Sequence, residues 1–423
     1  MSLLIRQVTV IDPQSEFHNQ VVDIAIEQNG QISTISSSIA ADKQEVIDVS
    51  GVCISRGFVD IFADYRDPGL EHKETITSGL KAAATGGFTD VFLLPNTNPP
   101  TCTKASVEYL LQRAKGSIVN IHPIGALTQQ IDGKALAEML DMHTHGAIAF
   151  SDGWKPLQNA GLMLKALEYV RAFNGMVIQM PIDVTLALGG LMHEGETSTR
   201  LGMAGIPKLA ESIQLYRDIE LLRYTQSRIH FTGISTEESV EMIRQAKKDG
   251  MNITCSVTPY HLAFTDESLV DYDSVFKVSP VLRSEKDRQA LISGLKDGTI
   301  DCIASHHRPQ DWDAKTKEFE YSGDGMNLQE ITFQVVYDTL EKQVPLARII
   351  EALSIRPREI FGLLNSPIAV GTNCYTLIST QTNSVVSDNT IRSLSRNNPY
   401  IGKSIRGSIL GLANNGMLHL YRP

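Results

Sequence analysis

Hydrophobic and polar positions change rhythm twice along the chain. Residues 1–56 alternate with a period of two, in "LLIRQVTVID", "VVDIAIEQNGQISTI" and "QEVIDVSGVCIS". Alternation of this kind marks half-buried strands, and Asn29-Gly30 supplies a hairpin turn. From Gly57 onward, short apolar runs alternate with longer amphipathic segments. The runs are "GFVDIF", "TDVFLLP", "VNIHPIGAL", "GAIAFSD", "MVIQMP", "RIHFTGI", "NITCSVTP" and "IDCIAS". Helical periodicity fills the gaps, as in "HKETITSGLKAAATGG", "SVEYLLQRAKG", "AGLMLKALEYVRAFN", "AESIQLYRDIELLRYTQ" and "TEESVEMIRQAKKDG". Helical sequence follows the last two runs as well. Eight strand–helix units predict an α/β (β/α)8 barrel of the TIM type. A doubly wound sheet is the alternative, but no glycine-rich GxGxxG follows the first strand. After "PLARIIEALSIRPREIFGL" the short-strand rhythm returns and runs from Ser366 to Pro423. The expected organisation is therefore a barrel over 57–365 and a small β-sandwich-like domain built from both termini, 1–56 plus 366–423.

Composition narrows the function classes. The chain has 423 residues, 42% apolar and 20% charged, with a formal net charge of −10. This acidic balance argues against nucleic acid or an anionic membrane as a partner. No apolar run reaches the roughly 20 residues of a membrane span, and the N-terminus lacks a signal-peptide pattern. The five cysteines (Cys53, Cys102, Cys255, Cys302, Cys374) are widely spaced with no CxxC. They read as buried reduced thiols in a cytoplasmic protein, not as a disulfide framework or a cysteine zinc site.

Chemistry-bearing residues appear in "GFVDIFADYRDPGLEHKETITSGLKAAATGGFTDVFLLPNTNPP" and continue through "AFSDG", "HEGETSTRLGMAGIPKLAESIQLYRD", "ITCSVTPYHLAFT", "SPVLRSEKDRQALISGLKDGTIDCIASHHRP" and "NPYIGKSIRG". In order and over nearly the whole chain, these segments resemble the dihydroorotases, cyclic amidohydrolases that interconvert N-carbamoyl-aspartate and dihydroorotate in pyrimidine biosynthesis. The resemblance implies a zinc-dependent barrel, with ligands at the C-terminal ends of the strands. Zinc would lower the pKa of a bound water and polarise the amide carbonyl.

The resemblance also locates each ligand position, and the residues there depart from the family. At strand one, His-x-His is replaced by Phe62 and Asp64. At strand four, the acidic pair is reduced to Asp152 in "FSDGW". At strand five, Met180 stands where a histidine is expected. At strand six, Gly233 does, with His230 three residues earlier on the opposite strand face. At strand eight, the catalytic aspartate becomes His306, and a later substrate-holding histidine becomes Gln310. Phe62, Met180 and Gly233 are unsuited to zinc. Asp64, Asp152 and His306 are the remnant metal candidates, and His306 is also the candidate proton acceptor. Arg66 and Asn96 match the family residues that grip the substrate carboxylate, so a dicarboxylate remains a candidate ligand.

Other residues read as structural. His143 and His145, in "HTH", precede strand four and are expected in a surface loop. Glu194 and Glu196 are expected to be solvated or to pair with Arg200. Asp311, Asp313 and Lys315 read as ordinary loop charges, and Gly323 and Gly325 are expected to keep the loop after strand eight mobile. His261 reads as structural.

Two functional readings stay open. One is a catalytically inactive dihydroorotase homologue with no cofactor, assembled as a homo-oligomer or as a structural or regulatory partner of an aspartate transcarbamoylase-like subunit. The other is an active cyclic amidohydrolase with zinc in a rearranged site. A small-molecule binding protein that retains a dicarboxylate is a third possibility.

Overall fold

The computed structural model describes residues 3–41, 45–47 and 49–421. Eight parallel strands form the barrel: β1 (Phe58–Ala63), β2 (Phe88–Leu93), β3 (Asn120–Gly125), β4 (Ala149–Phe150), β5 (Val177–Gln179), β6 (Ile229–Phe231), β7 (Ile253–Val257) and β8 (Cys302–Ile303). Each pairs with the next in sequence order. The ring closes between β8 and β1, where the Asp64 N–H donates to the His307 carbonyl at 2.9 Å. Asp60 reinforces this seam by accepting from the Ser305 N–H at 3.0 Å and from Gln329 Nε2 at 2.7 Å. All six residues of β1 are buried, as a strand covered on both faces requires. Val59, Ile61, Phe92, Ile124, Ile178 and Cys302 fill the barrel interior, with Ile360 packed against them.

The helices follow the sequence pattern. Ile76–Thr85 begins at Thr75, whose hydroxyl accepts from the Ser78 N–H in a capping box. Glu237–Lys248 carries acids in its first turn and lysines in its last, matching the helix dipole. Leu209–Thr225 and Ala160–Arg171 also fall where the periodicity places them. The "HTH" segment differs: His143 lies on a short helix, Met139–Thr144, and His145 caps its end. His145 Nδ1 hydrogen-bonds the Asp141 carbonyl at 2.7 Å, a local closure that converts the expected loop into a turn of helix.

Met192–His193 and Gly205–Ile206 form a separate two-stranded parallel sheet, and the strands from the two ends of the chain join into one larger sheet. Val52–Arg56 runs antiparallel to Tyr375–Val385, and Leu3–Val10 runs parallel to Val52–Arg56. Val21–Ile26 and Ile32–Ser36 form the hairpin signalled by Asn29-Gly30. A buried ion pair fastens this sheet to the end of the barrel segment. Arg56 donates to both Asp12 carboxylate oxygens, at 2.9 and 2.8 Å, and to the Asn365 carbonyl at 2.8 Å. Asp12 in turn accepts the Ile368 N–H. A bidentate pair of this kind satisfies both charges without water.

One segment reaches beyond the sheet to the barrel mouth. Between Val385 and Ser404 the chain folds over the ends of β1 and β8. Glu330 accepts the Arg392 and Ser393 N–H groups at 2.8 and 2.9 Å, and Glu74 accepts the Leu394 N–H at 3.2 Å. Asn397 donates to the Arg308 carbonyl at 2.9 Å and accepts the Gln310 N–H at 3.1 Å.

Candidate functional site at the barrel mouth

The chain leaves β1 through Asp64-Tyr65-Arg66 and leaves β8 through His306-His307-Arg308. Arg66 and His306 both adopt positive φ, +58° and +47°. Non-glycine residues rarely do so, and the conformation is held only where surrounding contacts fix it. At His306 those contacts are aromatic. Phe62, fully buried, stacks on the His306 ring at 4.4 Å between centroids and meets Trp154 edge-on at 5.1 Å. Trp154 also meets His306 edge-on at 5.5 Å. Three rings therefore pack as a plug at the strand ends.

Each remnant metal candidate already has protein partners. Asp64 Oδ2 accepts the Trp154 indole N–H at 2.8 Å and pairs with Arg66 at 3.1 Å, while Oδ1 accepts the Arg66 N–H at 3.2 Å. Asp152 Oδ1 accepts two backbone N–H groups, Leu127 at 3.0 Å and Thr128 at 2.9 Å, and Oδ2 accepts the Thr128 hydroxyl. Burial pushes the Asp152 carboxyl up to about 6, against those three donors. His306 Nε2 shares a hydrogen bond with the Thr232 hydroxyl at 2.7 Å, and Nδ1 lies 3.5 Å from the Tyr260 hydroxyl. Burial drives its proton affinity well below the ordinary histidine range, so the ring is neutral.

Gly233 explains how His306 fits. A β-carbon there would stand 2.7 Å from His306 Cε1, and its φ of +70° favours glycine. The ring occupies the space that a side chain at the strand-six ligand position would need. His230 belongs to the same polar line through the barrel. It bonds Thr254 at 2.9 Å and Ser256 at 3.1 Å, and Ser256 bonds Thr232 at 2.9 Å. Burial lowers its proton affinity to about 3.

A zinc site needs three protein donors around one point in near-tetrahedral geometry. Phe62 and Gly233 offer none, and Met180 offers only a buried thioether. Asp64, Asp152 and His306 are engaged by Trp154 and Arg66, by the loop after β3, and by Thr232. Among the described residues no group of three or more His, Cys, Asp or Glu side chains is arranged to hold a metal. The donor set does not fit zinc.

The predicted substrate-holding residues divide. Arg66 lines a cavity of about 260 Å³ at the mouth, together with Asn96, Trp154, Lys155 and Arg308. Asn96 sits at the cavity wall, but both ends of its amide are engaged: Nδ2 donates to the Asp152 carbonyl at 3.1 Å and Oδ1 accepts the Trp154 N–H at 3.2 Å. Gly153 makes this possible, since a β-carbon there would lie 1.8 Å from Asn96 Oδ1. Gln310 is held elsewhere, accepting from Lys73 Nζ at 2.7 Å and donating to the Asp324 carbonyl at 2.6 Å.

Side-chain hydrogen bonds join the loop after β8 to neighbouring segments. Lys277 reaches into it and donates to the carbonyls of Phe319, Glu320 and Ser322 at 2.7, 2.8 and 2.9 Å. Lys315 is not an ordinary loop charge. It donates to the Ser274 carbonyl at 2.7 Å, and desolvation pushes its ammonium down to about 7. Arg200 pairs with Glu267 at 2.6 Å instead of Glu194 or Glu196, because its short helix faces the 266–269 turn. Trp154 and Arg308 were not singled out by sequence reasoning. Arg308 lies over the Trp154 ring at 4.5 Å. The only local signal was an aromatic residue directly after the strand-four acid motif.

Comparison with known proteins agrees with the fold. The family model described as Dihydro-orotase-like matches residues 51–239. The dihydroorotase of Acetivibrio thermocellus is 38% identical over 418 residues, covering 98% of each chain. That of Syntrophus aciditrophicus is 36% identical, covering 97% of each. Among solved structures, the L-hydantoinase (dihydropyrimidinase) from Arthrobacter aurescens superposes with a TM-score of 0.85 at 20% identity, over 99% of this chain and 97% of that one. The dihydropyrimidinase from Brevibacillus agri gives 0.81 at 18% identity, over 99% and 95%. These two likenesses concern the fold. With a mixed α/β barrel, a separate β domain, and close sequence identity along almost its whole length, the chain belongs to the dihydroorotase family.

Proposed function

We propose that this chain is a non-hydrolytic dihydroorotase homologue, a cytoplasmic protein that serves pyrimidine biosynthesis as a structural or regulatory partner of an aspartate transcarbamoylase-like subunit. The observation that carries the reading is the ring plug of Phe62, His306 and Trp154 at the strand ends, with Asp64 held by the indole and by Arg66. Opening a cyclic amide at neutral pH calls for an activated water and a polarised carbonyl. His306 is a poor proton acceptor for such a water, being buried, neutral and bonded to Thr232. The pathway is supported by the relatives, which carry the name dihydroorotase over their full length. A fold retained without its chemistry keeps its surfaces, and the family's pathway neighbours are the natural partners for them.

Two measurements test this. Dihydroorotate ring opening should stay at the uncatalysed rate with purified protein, with and without added zinc. Mixed with an aspartate transcarbamoylase subunit from the same source, the chain should co-migrate as a larger species in sizing experiments. Turnover abolished by Asp64→Ala would instead support a rearranged metal site. Independent migration would overturn the partner assignment.

A further inference from the structure

At the mouth cavity several cations meet with few anions. Arg66 follows β1, Lys155 follows β4 and Arg308 follows β8, so three separate loops bring positive charge to one cavity of about 260 Å³. Asp64 pairs with Arg66 at 3.1 Å, and Asp324 lies at the looser distance of 3.8 Å from Arg308. Among the described residues, no carboxylate stands within ion-pair distance of Lys155. Three cations against two acids leave the cavity with a net positive charge. The Nε atoms of Arg66 and Arg308 are both buried with no hydrogen-bond partner. Neither Nε is used within the protein, so both guanidinium groups keep donor capacity that the fold does not spend.

From this convergence of Arg66, Lys155 and Arg308 we infer a binding site for a phosphate group, either free phosphate or a small phosphorylated metabolite. A planar carboxylate presents two oxygens in one plane. A tetrahedral oxyanion presents acceptors on every side, which suits cations arriving from three loops. Arginine forks donate to such oxygens in pairs. Pockets for drug-sized ligands begin near about 300 Å³, so this cavity restricts its ligand to a small anion. Trp154 supplies one wall, and its face is covered by the Arg308 guanidinium, which holds that charge in position. Enclosure makes the Arg308 charge costly, Asp324 relieves this, and the Arg66 charge adds to it. A bound dianion would relieve both arginines together. The assignment does not depend on whether ring opening is lost.

Isothermal titration of the full chain with inorganic phosphate tests it, with O-phosphoserine and succinate as parallel ligands. Phosphate or O-phosphoserine should bind, and the tighter of the two identifies the source. Arg308→Gln should weaken binding about tenfold, and Lys155→Gln several-fold, as loss of one charged hydrogen bond implies. Lys155 is exposed, so its variant folds even if Arg308→Gln does not. No heat at millimolar concentrations of either phosphate ligand would overturn the inference. So would binding unchanged in Lys155→Gln, or succinate binding more tightly than both.

Discussion

Replacing Phe62 with alanine probes whether the mouth is a packed core or an open cleft. The side chain is fully buried, so the substitution forfeits its entire transfer free energy and leaves a cavity. Buried Phe→Ala changes cost about 3–5 kcal/mol. Phe62 also makes two defined ring contacts, with His306 at 4.4 Å and Trp154 at 5.1 Å. Aromatic pairs add about 0.5–1.5 kcal/mol each beyond area burial. The expected loss is therefore in the upper half of that range, about 4–5 kcal/mol. Phe62→Leu keeps much of the volume but neither ring contact, and should lose about half as much. Urea unfolding followed by circular dichroism gives both values from the midpoint and slope. A loss below about 1 kcal/mol for Phe62→Ala would refute the plug, since that is typical of exposed sites and not of packed ones.

Further outcomes follow from the same contacts. Trp154→Phe removes the indole N–H from buried Asp64 and should destabilise the fold by about 1–3 kcal/mol in the same unfolding assay. Gly233→Ala places a β-carbon against His306 at positive φ and should lower the unfolding midpoint by at least about 1 kcal/mol, whereas an unaffected midpoint would show that the ring has room. His230 and His261, whose proton affinities burial lowers to about 3, make the fold acid-sensitive. The unfolded chain takes up these protons near pH 6.5 and the folded chain does not, so stability falls as pH drops through that value. Each histidine should cost about 2 kcal/mol between pH 7 and pH 5. His230→Gln should flatten the dependence, and an unchanged slope would contradict it.

The barrel was legible because its signals are local. Eight apolar runs mark strands covered on both faces, and the intervening helices carry their own caps, such as Thr75 and Thr236. The poverty of metal donors at Phe62, Met180 and Gly233 was equally readable, because side-chain chemistry at a motif position needs no coordinates. What replaced the donors was not readable. Asp64 and Trp154 are 90 residues apart, and nothing in local periodicity pairs a carboxylate with a distant indole. Asn96 and Gln310 matched substrate-holding positions, yet their amides bond to a neighbouring loop and to Lys73. Lys315 looked like a surface charge because its burial depends on Lys277 drawing the same loop inward. The segment over the mouth, near Asn397, read as a polar loop with an edge strand. Its bonds to Gln310 and Arg308 span 87 and 89 residues.

The most direct test of the central claim is elemental analysis of the wild-type chain purified without chelators and after dialysis against zinc, beside Asp64→Ala. With the donors of Asp64, Asp152 and His306 held by protein partners, wild type should carry far less than one zinc per chain, indistinguishable from the variant. One or more equivalents of zinc in wild type, lost in Asp64→Ala, would contradict the account.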